Sequence, residues 1–96
     1  MLRDEIIETL HQHMPDIRAF GVARLAVFGS VSRGEETPDS DVDVLVEFEA
    51  PVGLFRFVSL QRYLEGILGR SVDLATPDAL RPEMREAILA EALYAA

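Results

Sequence analysis

The chain has 96 residues, and 49% of them are hydrophobic, which is enough for one modest core and predicts a single domain spanning residues 1–96. The formal net charge of −8 argues against a nucleic-acid substrate, because phosphate backbones are bound by Lys and Arg, and it favours a small acceptor or a basic protein partner. Cysteine is absent, which excludes disulfides and thiolate chemistry, and no apolar run approaches membrane-spanning length, so we expect a cytoplasmic protein.

The first predicted element is a helix over residues 2–19, where apolar side chains recur at intervals of three and four. His11 and His13 fall in this helix. They could serve as a proton shuttle or as metal ligands, but no partner ligand is spaced for them, so a solvated helix face is the favoured interpretation. A strand at residues 25–28 and a short helical turn at residues 31–35 follow.

Beyond this turn the patterns predict a polar loop, a strand, a helix, a third strand and a last helix, at residues 36–40, 41–48, 54–68, 70–75 and 82–94. The strand at 41–48 is almost continuously apolar, as expected for a strand covered on both faces. Gly69 is expected to end the long helix. The order of elements predicts an α/β (α+β) fold, with a small mixed sheet, helices packed on it, and the second and third strands as central neighbours.

The most informative stretch joins the first two strands. Gly29 and Ser30 follow the first strand, residues 31–40 intervene, and Asp41 and Asp43 then lead the second strand. Alternate residues of a strand share a face, so the two carboxylates point the same way, which is unfavourable unless a cation lies between them. Mg²⁺ suits such oxygen ligands. Gly29 lets the backbone approach a phosphate, and Ser30 is expected to cap the turn.

Two further charged residues lie at informative positions. Arg33 could donate to triphosphate oxygens. The alternative is a structural ion pair with an acidic residue nearby, namely Glu35, Glu36 or Asp39. Asp73 lies between two apolar residues of the third strand, where an unpaired buried charge is costly. It is either a third carboxylate beside the other two, or a structural residue that lies in water on an edge strand or caps the next turn. The pattern alone favours neither the functional nor the structural interpretation.

The pattern Gly-Ser, ten residues, then Asp-x-Asp resembles the signature of the polymerase-β-like nucleotidyltransferase superfamily. The finer match, FGSVSRGE followed by SDVDVLVEF, is similar to the minimal nucleotidyltransferases, or MNT proteins. The resemblance covers most of the chain, since Leu64, Gly69-Arg70 and Val72-Asp73-Leu74 also fit the family. MNT proteins are typically encoded beside a HEPN-domain toxin and act as its antitoxin, so the resemblance implies a HEPN toxin as partner.

The resemblance also implies the nucleotidyltransferase fold and a role for each motif residue. Asp41 and Asp43 would bind two Mg²⁺ ions. Asp73, on a third strand, would bind the metal nearer the acceptor and help to deprotonate its hydroxyl. Gly29 and Ser30 would hold the β- and γ-phosphates of ATP.

The activity that the resemblance implies is transfer of AMP from ATP to a tyrosine hydroxyl of the cognate HEPN toxin, which silences its RNase activity. Two alternatives stay open. The first is an antitoxin that acts by binding alone, although three intact aspartates argue against a decayed site. The second is a small-molecule nucleotidyltransferase, for example one that modifies an aminoglycoside, but such enzymes usually carry an additional acceptor-binding domain.

Overall fold

The structure is a computed structural model, and it describes residues 2–35, 37 and 40–95. Its helices and strands, in chain order, are α1 (Leu2–Gln12), α2 (Met14–Arg18), β1 (Val22–Phe28), α3 (Gly29–Ser32), β2 (Val42–Phe48), α4 (Leu54–Leu68), β3 (Val72–Ala75), α5 (Pro82–Glu91) and β4 (Leu93–Tyr94). A 3₁₀ turn, Pro77–Ala79, lies between β3 and α5.

The strands form one mixed sheet in the order β3-β2-β1-β4, which confirms the predicted α/β class. Strand β1 runs antiparallel to β2 and β4, whereas β2 and β3 are parallel. Parallel neighbours need a long crossover, and the 15-residue helix α4 provides it. Strand β2 is central and adjacent to β3, as expected. The prediction that β3 is also central is wrong, because no further strand of the described residues pairs with its outer side.

The core lies between one face of the sheet and three helices. This face is built from alternate apolar residues of β1, β2 and β3, namely Leu25, Val27, Val42, Val44, Val46, Val72 and Leu74. Helices α1, α2 and α4 cover it with Leu10, Ile17, Leu60 and Leu64. Leu45 is buried on the opposite face, which confirms that β2 is covered on both sides. Because strand side chains alternate, this packing fixes which face each aspartate of β2 and β3 occupies.

Helix α4 has the bounds that the sequence predicts, residues 54–68. Gly69 follows it in the left-handed conformation with a φ of 65°, and its N–H donates to the carbonyl of Glu65 at 2.8 Å. A residue with a side chain is strained in this conformation, so the glycine ends the helix as expected. The predicted first strand, residues 25–28, is three residues longer at its start.

The single helix predicted for residues 2–19 is wrong, because the chain forms two helices, α1 and α2, that separate at His13. The cause is Pro15, in the first turn of α2. Proline has no N–H to donate, and its ring would clash with the carbonyl four residues earlier, that of His11. The chain therefore restarts its helix at Met14.

The last helix ends at Glu91 rather than at residue 94, and the next residues form the unpredicted strand β4. Leu93 and Tyr94 pair with Val27 and Ala26 of β1, and the N–H of Ala95 donates to the carbonyl of Leu25 at 2.8 Å. Hydrogen bonding to the open edge of β1 replaces helical hydrogen bonds here. The predicted apolar face of this helix is not part of the core, since α5 contributes no buried residue.

The predicted loop at residues 36–40 lies partly outside the described residues, because Glu36, Pro38 and Asp39 are not among them. Of the two described residues, Ser40 donates its N–H to the carbonyl of Thr37 at 3.0 Å. No helix in the described part of the chain is long and apolar enough to cross a membrane.

Candidate functional site

The site begins at the turn from β1 into α3. Gly29 has a φ of 74°, and a Cβ at this position would collide with the carboxylate of Asp43. The glycine therefore serves two purposes: it takes a backbone conformation that strains other residues, and it lets the chain pass directly beside the Asp43 side chain. The helical turn predicted for residues 31–35 starts two residues earlier, at Gly29, and ends at Ser32.

Ser30 does not cap this turn. It lies inside α3, and the residue that precedes the helix is Phe28, which makes no side-chain cap hydrogen bond. The expected serine cap is wrong because the left-handed Gly29 turns the backbone from strand into helix without it. Ser32, in the last position of α3, instead donates its hydroxyl to the carbonyl of Gly29 at 2.8 Å.

Asp43 and Asp73 occupy directly opposite register positions on the parallel strands β2 and β3. Neighbouring strands lie about 4.8 Å apart, so the two side chains are adjacent on the face of the sheet that is opposite to the helical core. Asp41 immediately precedes β2 and is exposed, and Asp43 is partly buried. Asp73 lies beside Asp43, and it is also an exposed residue of an edge strand. The interpretation as a third carboxylate and the interpretation as an edge-strand residue in water therefore each describe part of its environment.

Burial raises the pKa of Asp43 above its ordinary value, and the negative charges of Asp73, Asp41 and Glu91 raise it further, while Arg33 opposes them. A bound cation would relieve this repulsion, and a set of carboxylate oxygens is what Mg²⁺ prefers, so the donors fit the ion in kind. In the part of the chain that is described, however, no three acidic or histidine side chains converge as ligands on one point. The metal assignment therefore stays a prediction.

Arg33 follows α3 and forms two ion pairs. Its Nε donates to Glu35 at 2.6 Å, and its Nη1 donates to both carboxylate oxygens of Glu91, at 3.1 and 3.2 Å. The ion pair that the sequence suggests as the alternative role of Arg33 is therefore present, with Glu35 as the partner. The other two suggested partners, Glu36 and Asp39, lie outside the described residues. The nucleotide-binding role of Arg33 stays a prediction.

Glu91 is a residue at this site that the sequence did not suggest. It lies at the end of α5, and its Oε1 accepts a hydrogen bond from the N–H of Gly29 at 3.1 Å, in addition to the contacts with Arg33. No local pattern marks it, because it is separated from Gly29 by 62 positions in the chain. Its neighbours are set by the attachment of α5 and β4 to β1.

The two histidines of the first helical region bind backbone carbonyls. A ring nitrogen of His11 lies 3.2 Å from the carbonyl oxygen of Ala95, and one of His13 lies 2.8 Å from that of Thr9. Neither belongs to a group of three potential metal ligands among residues 2–35, 37 and 40–95. His11 is exposed, as a solvated helix face predicts, whereas His13 is partly buried.

Replacing Asp43 with asparagine should stabilise the metal-free protein at neutral pH, by about 0.5–1 kcal/mol after solvent screening. The raised pKa means that folding favours the protonated carboxyl group. This contribution to stability is complete below the unfolded-state pKa of about 3.9 and is lost as the pH rises through the folded-state pKa. The advantage of Asp43→Asn should therefore be absent at about pH 3.5 and grow to a plateau by about pH 7, as measured by urea unfolding.

Added Mg²⁺ provides the control for this prediction. It should raise the melting temperature of the wild-type protein, because it relieves the carboxylate repulsion, and it should raise that of Asp43→Asn much less. Equal shifts in both proteins would contradict a metal site at Asp43.

Comparisons with known proteins bear on the whole chain. A family model described as a nucleotidyltransferase domain matches residues 4–95. The chain is 42% identical over 92 residues to protein adenylyltransferase MntA of Thermococcus cleftensis, covering 95% of this chain and 93% of the relative. A solved minimal nucleotidyltransferase structure aligns at a TM-score of 0.74 with 41% identity, covering 91% of this chain and 93% of that one.

A more distant structural match concerns the fold alone. It is a chain of a Shewanella oneidensis complex between a tri-AMPylated HEPN toxin and an MNT antitoxin, with a TM-score of 0.60 and 18% identity, covering 99% of this chain and 69% of that chain.

Proposed function

The chain belongs to the nucleotidyltransferase domain family, and from that premise we propose that it is a protein adenylyltransferase that moves AMP from ATP to a tyrosine of a HEPN toxin. The observation that carries this proposal is the register pairing of Asp43 with Asp73 on adjacent strands, directly beside the backbone of Gly29. Carboxylates next to a glycine turn are suited to a nucleotide and its cation. We further propose that residues 1–96 form one minimal nucleotidyltransferase domain that acts in the cytoplasm.

In the proposed reaction, the acceptor oxygen attacks the α-phosphorus of ATP, the bond from that phosphorus to the bridging oxygen breaks, and pyrophosphate leaves. Asp73 takes the proton of the attacking hydroxyl. Asp41, Asp43 and Asp73 would hold two Mg²⁺ ions, which when bound would neutralise charge on the phosphates. Gly29 and Ser30 would hold the β- and γ-phosphates.

Arg33 would add a charge-assisted contact to the same phosphates. It directly follows α3, the short helix that begins at Gly29. Its side chain is half-exposed, and Glu35 orients one side of its guanidinium group. Its positive charge opposes part of the rise in the pKa of Asp43, because the guanidinium group and the carboxylate attract each other across the site.

The charge of the chain supports a protein acceptor. At a formal net charge of −8, the protein repels nucleic acid and attracts a basic surface. The relative at 42% identity is named as a protein adenylyltransferase, and the distant structural match is a complex that contains an AMPylated HEPN toxin. A HEPN toxin is therefore the acceptor that we propose, and the protein would act as its antitoxin by this modification.

The first step of the test is to sequence the neighbouring gene, which we expect to encode a HEPN-domain protein. This partner is then incubated with the protein, ATP and Mg²⁺ and weighed by intact mass spectrometry. We expect one or more additions of AMP, mapped by fragmentation to tyrosine. A partner that is inhibited but unmodified would replace this function with inhibition by binding alone. Transfer to an aminoglycoside but to no protein would indicate a small-molecule enzyme.

A further inference from the structure

Glu91 occupies the hydrogen-bond donors of Gly29 and Arg33, which are the donors that we propose for the nucleotide phosphates. Its carboxylate accepts the N–H of Gly29 at 3.1 Å and the Nη1 of Arg33 at 3.1 and 3.2 Å, so one anionic group joins the glycine turn to the arginine. Carboxylates and phosphates have the same preference for backbone N–H groups and guanidinium groups. The N–H of Gly29 has a single hydrogen, so Glu91 and a phosphate oxygen compete for it. They also compete for the Nη1 of Arg33, which donates to both carboxylate oxygens of Glu91.

The helix that carries Glu91 contributes little to the core. None of the residues of α5 is buried, and Met84 is 50% exposed. Beyond Glu91 the chain is held on β1 by the two residues of β4 and by Ala95, whose N–H donates to the carbonyl of Leu25 and whose side chain is buried in the core. A segment with little buried apolar surface separates from the rest of a fold at low cost in free energy. The low-cost movement therefore concerns α5 and the Glu91 side chain, not β4. A ligand of modest affinity can therefore displace the Glu91 carboxylate.

We propose that Glu91 is an internal competitor of the nucleotide triphosphate: in the free protein it occupies Gly29 and Arg33, and ATP binds by displacing it. This inference rests on the proposed nucleotidyltransferase function. The apparent affinity for ATP is then the intrinsic affinity multiplied by the fraction of molecules in which Glu91 is out of place. Displacement of Glu91 also releases Arg33 to the phosphates. In place, Glu91 also adds a negative charge near Asp43, which repels the anionic phosphates of the nucleotide.

The alternative role for Glu91 is to position Arg33 for the phosphates. The two roles predict effects of opposite sign. If Glu91 competes, removing its charge strengthens the binding of triphosphate. If it only orients Arg33, removing its charge frees the guanidinium group to move and weakens binding.

The experiment is calorimetric titration of the wild-type protein, Glu91→Gln and Glu91→Ala with an ATP analogue that has a methylene group between the α- and β-phosphates, in the presence of Mg²⁺. Tripolyphosphate and adenosine are titrated separately. Glu86→Gln is the matched control, because it removes one negative charge from an exposed position on the same helix. Circular dichroism melting curves verify that each variant is folded.

We expect the Glu91 variants to bind the analogue and tripolyphosphate about tenfold more tightly than the wild type, with no gain for adenosine and none for Glu86→Gln. The proposal is also supported if the Glu91 variants bind the analogue and the wild type shows no detectable binding. Equal or weaker binding by folded Glu91 variants, in a protein whose wild type binds the analogue, overturns this inference and leaves the proposed function intact. If no folded protein in the series binds it, the proposed function fails and this inference fails with it.

Discussion

Asp43→Asn is expected to reduce the rate of AMP transfer by about three orders of magnitude or more. Asp43 is the central aspartate of the site: it opposes Asp73 on β3 and Phe28 on β1, and its carboxylate lies beside Gly29. Asparagine keeps nearly the same shape, so the backbone and the turn should persist. The loss of a charged ligand oxygen removes the predicted metal site without removing the fold.

The measurement is the rate at which radiolabelled AMP from ATP is incorporated into the partner protein. Asp78→Asn is a suitable control, since it removes the same charge from an exposed position in the 3₁₀ turn. It should retain nearly full activity. Asp43→Asn with more than about a tenth of the wild-type rate would contradict the assignment of Asp43 as a catalytic residue.

Asp73→Asn separates the role of Asp73 from that of Asp43. If Asp73 takes the proton of the acceptor, its loss should cost about 10²–10⁴ in rate and flatten the acid limb of the pH–rate profile. A residue that only shields charge would leave the shape of that profile unchanged.

The sequence predicts well those parts of this fold that depend on neighbouring residues. Helix α4 has the predicted bounds because its apolar spacing and the glycine after it act within a few positions of one another. The alternation of Asp41 with Asp43 is likewise local. The pairing of Asp43 with Asp73 is long-range, and it was expected from the family resemblance rather than from the pattern around Asp73 itself.

The errors have two different origins. The break at Pro15 was local and visible in the sequence, since proline in a helix interior removes a donor and clashes with the preceding turn. Strand β4 and the position of Glu91 were not visible, because both depend on β1, which lies more than sixty positions earlier in the chain. A two-residue strand has no periodicity of its own, so pairing with an open sheet edge overrides the weak helical pattern there.

Gly29→Ala should destabilise the protein by about 1–3 kcal/mol, which for a domain of this size lowers the melting temperature by several degrees or more. Two costs combine in this estimate. Alanine is strained at a φ of 74°, and its Cβ would collide with the carboxylate of Asp43, which must then rotate or withdraw. Because that carboxylate would move, transfer of AMP should fall together with stability.

Gly66→Ala is the matched control for this substitution. Gly66 lies inside α4, and a Cβ there would meet no atom within 4 Å, so alanine should stabilise the protein by about 0.5–1 kcal/mol through its helix propensity. The same chemical change is therefore expected to have opposite signs at the two positions in urea unfolding. A Gly29→Ala protein as stable as the wild type would contradict the geometry of the β1–α3 turn.

A double-mutant cycle with Asp43→Ala divides the cost of Gly29→Ala into its two parts. Alanine at position 43 removes the carboxylate that the new Cβ would strike, and it retains the Cβ of that residue. In this background Gly29→Ala should cost less, and the remaining loss should be the backbone strain of about 1–2 kcal/mol. An undiminished cost would mean that the glycine is required for its backbone conformation alone, and that Asp43 does not depend on the space beside it.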